Sequence, residues 1–528
     1  MQHKADALVK PLIARINAFH RTDAVRRFAV PAAAVTVVLF LALYNLTRYP
    51  TTWFDEGSHL HVPKTLVRFG VYADYSSEGF RYYGPTVGIG PTVMLPIAAA
   101  FRLFGIGLLQ ARLVMVLYLL ATIYAFYHLA RGLGGRRLAW VATTLLVTSR
   151  GISLLEYGRQ VLGEVPGFFF LAAGLGLWFA AWERAGWLRL GLAGLLMGLA
   201  TVTKNQYLLV LAPALGLAWL ANLAYYRTTP QRIFIVPGLV TAVCFALWQV
   251  YLILYLGPAT AGENLASLRV ATAGAALVFS PDLMRESIRE LVSPDAYLGG
   301  LVLALAYGFV LALPRRREGQ RWGILLIFVA VNLVWYVVGS IGWLRYAFPG
   351  LAIASLFVAR FFHDVTDGFQ FDRTSLRDML HGGQRALPKH VLCWTMLAWL
   401  VAMIVLPMGQ TIPELIAPPS NTPVAMAAYL DENVSREALI ETWEPEMGFL
   451  TDHNYHFPPP LLLNTTVGYK WLGGPPPAQG YDFVQTEFPD YVLVGEFARW
   501  VELYPLDVLK THYRLVTTIG AYELYARK

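Results

Sequence analysis

Residues 233–257 read IFIVPGLVTAVCFALWQVYLILYLG, 25 residues without a charged side chain. A bilayer's hydrocarbon core, about 30 Å thick, needs roughly 20 apolar residues of helix, so this stretch alone is long enough to cross one. Similar apolar runs lie near 28–46, 111–130, 138–150, 165–182, 188–203, 206–225, 298–313, 322–341, 346–362 and 391–410. Together they predict an all-α polytopic membrane protein with about eleven spans.

Composition agrees. The 528 residues are 56% hydrophobic and 14% charged, with a mean hydropathy of +0.48, whereas soluble domains carry about 25% charged residues. A soluble globular protein, a disordered chain, collagen and a single-span receptor are all excluded. The formal charge is +8, but the basic residues fall mostly in short loops between apolar runs, where they report orientation rather than nucleic-acid binding. Cys244 and Cys393 lie inside apolar runs, which supports neither a disulfide framework nor a cysteine metal site. The first run follows Lys4, Lys10, Arg15, Arg21, Arg26 and Arg27 with no small-residue cleavage site behind it, so it reads as a retained anchor.

With the N-terminus cytoplasmic, the inside segments hold 22 Lys and Arg, and the outside loops, although longer, hold 12; the positive-inside rule is met. This requires 91–107 to dip into the membrane without crossing. The long outer loop 47–110 carries Trp53, Tyr72, Tyr75, Phe80, Tyr82 and Tyr83, as expected of an interfacial segment. The other, 258–296, repeats Ser-Pro-Asp at 280–282 and 293–295, a cap followed by Pro at the first helical position. Met284, Ile288 and Leu291 would then share an apolar face resting on the bilayer or closing over a site. The chain divides into a transmembrane domain, 1–411, and a polar extracytoplasmic domain, 412–528. In the latter, strand-like Ala438–Trp443, Tyr491–Val494, Tyr513–Thr518 and Ala521–Ala526 accompany helix-like Pro423–Asn433 and Phe497–Leu503, predicting a small α/β unit.

On this topology Asp55, Glu56, Glu164, Lys204 and Arg345 gather at the outer rim, and ionisable groups at one membrane depth mark a site. Asp55 and Glu56 are adjacent, so on a helix they diverge by about 100° and serve separate roles. The plainer alternatives are solvated acids at a helix end, a dipole-favoured cap for Glu164, and snorkelling for Lys204 and Arg345. His59 and His61 alternate and cannot share a metal on a helix; His59 joined by an acid is the metal candidate. No Walker motif, nucleotide loop or nucleophile elbow occurs, so an activated substrate has to arrive on a lipid.

The order of motifs then resembles the GT-C glycosyltransferases of the protein O-mannosyltransferase and aminoarabinose-transferase type. The resemblance is carried by Tyr49-Pro-Thr-Thr-Trp-Phe-Asp55-Glu-Gly57, Gly90-Pro91-Thr-Val-Met-Leu-Pro96 with Phe104-Gly105, Ala111-Arg112, Arg159 with Glu164, Gly198-Leu-Ala-Thr-Val-Thr-Lys204 and Arg345-Tyr-Ala-Phe-Pro349, and it covers roughly 1–360. It implies a polyprenyl-phosphate sugar donor, inversion at the anomeric carbon, and a hydroxyl acceptor on a cell-envelope glycan, lipid or protein at the outer face. It also implies Asp55 as general base, Glu164 as the acid that orients the acceptor or sugar, and Arg345 near the donor phosphate; Glu56 is the further catalytic candidate, and Lys204 and Arg159 are the further candidates for binding the donor phosphate. A divalent metal ion is the one cofactor it admits. Where aminoarabinose-type members carry an acidic-Lys-Pro-Pro run, this chain has Tyr83-Gly84-Pro85-Thr86.

A transporter or flippase of lipid-linked saccharides is the competing reading, but transporters show internal symmetry and midplane charges, and this chain shows neither. A third is a non-catalytic scaffold whose tail binds sugar. Trp443, Tyr455, Phe457, Tyr469 and Trp471 in the tail would either stack on acceptor sugars or form that domain's core.

Overall fold

The computed structural model describes Ala29 and residues 31–82, 88–183, 186–369, 388–473 and 476–528. The basic leader 1–27, the Tyr83–Thr86 departure and most of the basic 360–390 loop lie outside the described residues. Every expected span appears as helix. Seven have the length and hydropathy to cross a membrane: Leu108–Thr148, Glu164–Ala181, Gln206–Tyr226, Arg232–Leu256, Arg317–Gly339, Leu344–Val365 and His390–Ile416. Pro31–Leu43, Trp187–Thr203 and Tyr297–Ala312 are apolar but shorter, and the count of eleven includes them and takes Leu108–Thr148 twice.

That doubling has a physical basis. A continuous 41-residue helix would run about 60 Å, twice the hydrocarbon thickness. Gly134 (φ −154°, ψ 20°) and Gly135 (φ 80°) break it, and Gly135 takes a left-handed φ that a side chain disfavours. The Tyr127 and Trp140 rings lie 5.4 Å apart, where an unbroken helix would separate them by about 20 Å. The chain therefore folds back on itself.

Helices Glu164–Ala181 and Leu344–Val365 form the centre of the bundle, with Trp178, Trp182 and Trp322 fully buried. Leu239, Leu247 and Leu254 on Arg232–Leu256 are 62, 64 and 77% exposed. So broad an apolar surface suits lipid rather than water.

The long segment after the first span builds helix Phe54–Phe69, then a hairpin of β1 (Asp74–Ser76) and β2 (Gly79–Arg81). Helix Pro91–Phe104 follows; its Val93, Met94, Ile97 and Phe101 pack on Leu60, Val62 and Phe449, while Leu103 and Phe104 stay exposed. In segment 258–296, Ser280 precedes helix Pro281–Leu291 as expected, although its hydroxyl makes no cap bond. The second Ser-Pro-Asp forms a turn instead, with Leu298 N–H donating to Pro294 O. Leu283 and Ser287 are the buried face of that helix, and Ile288 is exposed.

The tail carries a five-stranded sheet: β3 (Leu439–Thr442), β4 (Asn454–His456), β5 (Tyr491–Val494), β6 (Tyr513–Ile519) and β7 (Tyr522–Arg527), in the order β4-β3-β5-β7-β6. Pairs β3–β4 and β3–β5 are parallel, β5–β7 and β6–β7 antiparallel. Strand β4 was not anticipated, since three residues after a turn carry no alternating pattern. Trp443, Tyr455 and Phe457 are buried in the tail's own core; they are not free to stack on sugars. Trp471 meets Trp343 and Trp500, and Tyr469 donates to Glu502.

Candidate active site at one end of the bundle

Helix Phe54–Phe69 starts at Asp55 and Glu56, where two carboxylates in the first turn favour the helix dipole. Their side chains part as adjacent helical positions must. Asp55 pairs with Arg345. Glu56, fully buried, accepts from Arg112 at 2.5 and 2.9 Å and from the Val161 N–H at 3.1 Å.

A second ion pair joins Glu164, opening its helix, to Lys204 at the end of Trp187–Thr203. Tyr207 O–H donates to the Glu164 carbonyl at 2.6 Å, which ties the two helix ends together. Arg345 stands on the turn before Phe348–Val365, over the rings of Trp343 at 4.7 Å and Trp53 at 5.4 Å. Among the described residues, Arg345 Nε and Glu164 Oε2 are buried with no hydrogen-bond partner. Unpaired buried polar atoms are costly, and two of them on opposite charges are open valences for a polar ligand.

His59, one turn beyond Asp55, donates from Nδ1 to Val161 O at 2.8 Å. Burial pushes its imidazole down to about 4, against the pull of the Asp55 charge, so it is neutral at physiological pH. Burial also works to raise Asp55, but the Arg345 and Lys204 charges outweigh it and hold the carboxyl below its ordinary value. Asp55 is therefore an ionised carboxylate.

The structure thus brings Asp55, His59, Glu164, Lys204 and Arg345 together and sets two expected members apart. Arg159 is fully buried and spends its guanidinium on the carbonyls of Leu41, Tyr44 and Tyr49 at 2.5–3.1 Å, closing the end of helix Pro31–Leu43. Glu56 is occupied by Arg112. Arg112 itself, which also donates to Leu46 O at 2.7 Å, had no assigned role from sequence, because its partner lies 56 residues away.

The tail covers this helix. Lys64 donates to the carbonyls of Gly448, Phe449 and Thr451 at 2.7–3.1 Å, Arg68 grips Asp452 at 2.7 and 2.8 Å, and the Phe54 and Phe497 rings lie 4.2 Å apart. A β-carbon on Gly57 would fall 2.3 Å from Glu446 Cα, so only glycine allows this approach beside Asp55. Among the described residues, metal-capable side chains converge at Glu78, His456 and Glu487, whose ligand atoms lie within 4.8 Å of one another.

Residues 89–251 match the family described as dolichyl-phosphate-mannose-protein mannosyltransferase. No curated protein matches the chain by sequence. Among solved structures, ArnT from Cupriavidus metallidurans bound to undecaprenyl phosphate is similar at 15% identity and a TM-score of 0.61, over 95% of this chain and 98% of that one. The oligosaccharyltransferase AglB from Archaeoglobus fulgidus, in complex with an inhibitory peptide and a dolichol-phosphate, is similar at 13% identity and a TM-score of 0.56, over 96% and 75%. The chain thus shares the fold of these two proteins along nearly its whole length, and the mannosyltransferase-family match lies within that fold at residues 89–251.

Proposed function

We propose that the protein is an inverting glycosyltransferase that moves a sugar from a polyprenyl-phosphate donor to a hydroxyl acceptor at the outer membrane face. The observation that carries this is the two partly buried ion pairs, Asp55–Arg345 and Glu164–Lys204, closed at one end of a lipid-facing bundle, with Arg345 Nε and Glu164 Oε2 unpartnered. Displacing a phosphate from an anomeric carbon needs a base for the acceptor proton and cations for the charge that develops on the leaving oxygen. The undecaprenyl phosphate and dolichol-phosphate in the two similar structures support the donor class.

In this mechanism the donor phosphate draws Arg345 from Asp55, with Lys204 as the second cation. Asp55, relieved of its partner, regains basicity and takes the acceptor hydroxyl proton. The acceptor oxygen bonds to the anomeric carbon as the carbon–oxygen bond to phosphate breaks, and the departing electron pair resides on phosphate opposite Arg345. Glu164 orients a sugar or acceptor hydroxyl through Oε2. Neutral His59 lines the site without drawing Asp55 into a second ion pair. Glu56 and Arg159 are positioning residues that hold helix Phe54–Phe69 and the end of the first span. No step is routed through a metal ion.

The test is Asp55→Asn in the full-length protein reconstituted with a polyprenyl-phosphate sugar. Turnover should fall by roughly 10²–10⁴, the usual contribution of a general base, while donor binding holds or tightens because Arg345 is released. Turnover within a few fold of wild type would remove Asp55 from the mechanism. Mass spectrometry of lipid-linked sugars and surface glycans after removal of the protein would identify the sugar and acceptor.

A further inference from the structure

Strand β4 ends at His456, which is buried, and its surroundings are unusual for a core imidazole. Nδ1 lies 2.5 Å from Glu441 Oε2. The other oxygen of that fully buried carboxylate accepts from Tyr481 O–H at 2.7 Å and Tyr504 O–H at 2.8 Å. With both Glu441 oxygens engaged as acceptors, the ring proton belongs on Nδ1, and Nε2 is left to face outward. What it faces is Glu487 Oε2 at 3.5 Å and Glu78 Oε2 at 3.8 Å.

A lone pair opposite two carboxylate oxygens is repulsive unless a cation lies between them. A proton on Nε2 would form one hydrogen bond of about 2.7–3.2 Å, and both separations exceed that range. An ion bound at about 2.0–2.2 Å to each ligand places tetrahedral donors about 3.3–3.5 Å apart. The two observed gaps to Nε2, 3.5 and 3.8 Å, lie near that separation. The carboxylate–imidazole–metal arrangement is also how proteins fix the tautomer of a ligating histidine. Glu78 and Glu487 reach the site from separate elements: the β1–β2 hairpin and the segment just after helix Phe483–Thr486.

We propose that Glu78, His456 and Glu487 form a three-ligand site for a divalent transition metal of the zinc class, oriented by Glu441, that staples the first outer loop to the tail sheet. One nitrogen and two carboxylate oxygens suit zinc better than magnesium or calcium, which prefer all-oxygen sets. The hairpin already touches β4 here, with Ser77 N–H donating to Tyr455 O at 2.7 Å. A bound ion would convert that single backbone contact into a fixed joint, leaving a fourth coordination position open beside exposed Glu78.

The test uses the full-length protein in detergent, stripped with a chelator, reloaded with zinc and dialysed. Zinc per chain is read by inductively coupled plasma mass spectrometry, and cobalt substitution is read by visible absorption. Wild type should hold one zinc more per chain than the Glu78→Gln, Glu487→Gln double variant, whose substitutions lie at accessible carboxylates, and only wild type should show tetrahedral cobalt bands. Glu441→Gln, which retains all three ligands, should weaken zinc binding by about 10- to 100-fold, as loss of such an outer partner typically does. Equal zinc content in wild type and the double variant, whether one or none, overturns the assignment.

Discussion

Arg345 is the residue on which the proposed donor site turns. Its guanidinium lies over Trp343 and Trp53 and is paired to Asp55 through one arm, which leaves Nε unpartnered. Lysine would keep the charge but lose the planar fork and the stacking. A charge-assisted hydrogen bond is worth about 1.5–3 kcal/mol, so Arg345→Lys should raise the donor KM by roughly 10- to 150-fold. kcat should fall as well, because the leaving phosphate loses its directed contact. Steady-state kinetics with varied donor checks this, and an unchanged donor KM would place the phosphate elsewhere. At the neighbouring acids, adjacency alone dictated that Asp55 and Glu56 separate. Which one would be buried against an arginine depended on where Arg112 stands, and chain spacing does not contain that.

Among the elements, the short tail helix Pro445–Leu450 is the one that couples the tail to the site, packing on Phe54–Phe69 beside Gly57. Its entrance holds two acids in one buried place. Glu444 accepts from Ala498 N–H at 2.9 Å, and Glu446 from Tyr522 O–H at 2.6 Å. Burial raises Glu446 from 4.5 to about 7, and burial together with the charge of Glu446 raises Glu444 well above its ordinary value. The folded protein therefore holds a proton that the unfolded chain releases between pH 4.5 and about 7, so stability falls as pH rises through that window. Thermal unfolding of the tail should occur at a higher temperature at pH 5 than at pH 8. Glu446→Gln, neutral throughout and still able to accept from Tyr522, should shrink that difference; an equal difference in the variant would exclude Glu446 as its source. The same packing bears on the expectation that the tail serves the acceptor. Its removal would uncover Lys64, Arg68 and Gly57 on the helix that carries Asp55, so a truncated chain would lose site geometry along with any acceptor surface.

At the scale of the molecule, the proposed orientation places the loop at Arg315–Arg317 in the cytoplasm and the tail outside. Cys244 and Cys393 are replaced first, and single cysteines are introduced at Glu318 and Glu437, both exposed; Thr466, although in the tail, is buried. An impermeant thiol reagent applied to intact cells should label Glu437→Cys and spare Glu318→Cys, and the reverse would invert the topology and the site with it. The helical membrane class, the position of each apolar run, four of the five tail strands and the candidate acids at one end of the bundle were legible in the amino-acid order. Length, hydropathy period and charge placement are local quantities, and the bilayer acts on them directly. The pairing of Asp55 with Arg345, of Glu56 with Arg112 and of Glu164 with Lys204, the diversion of Arg159 to backbone carbonyls, the burial of Trp443, Tyr455 and Phe457, and the meeting of Glu78, His456 and Glu487 were decided by tertiary structure alone. Each joins residues about 30 to about 400 positions apart or burial from several elements, and only packing determines which charge finds which partner.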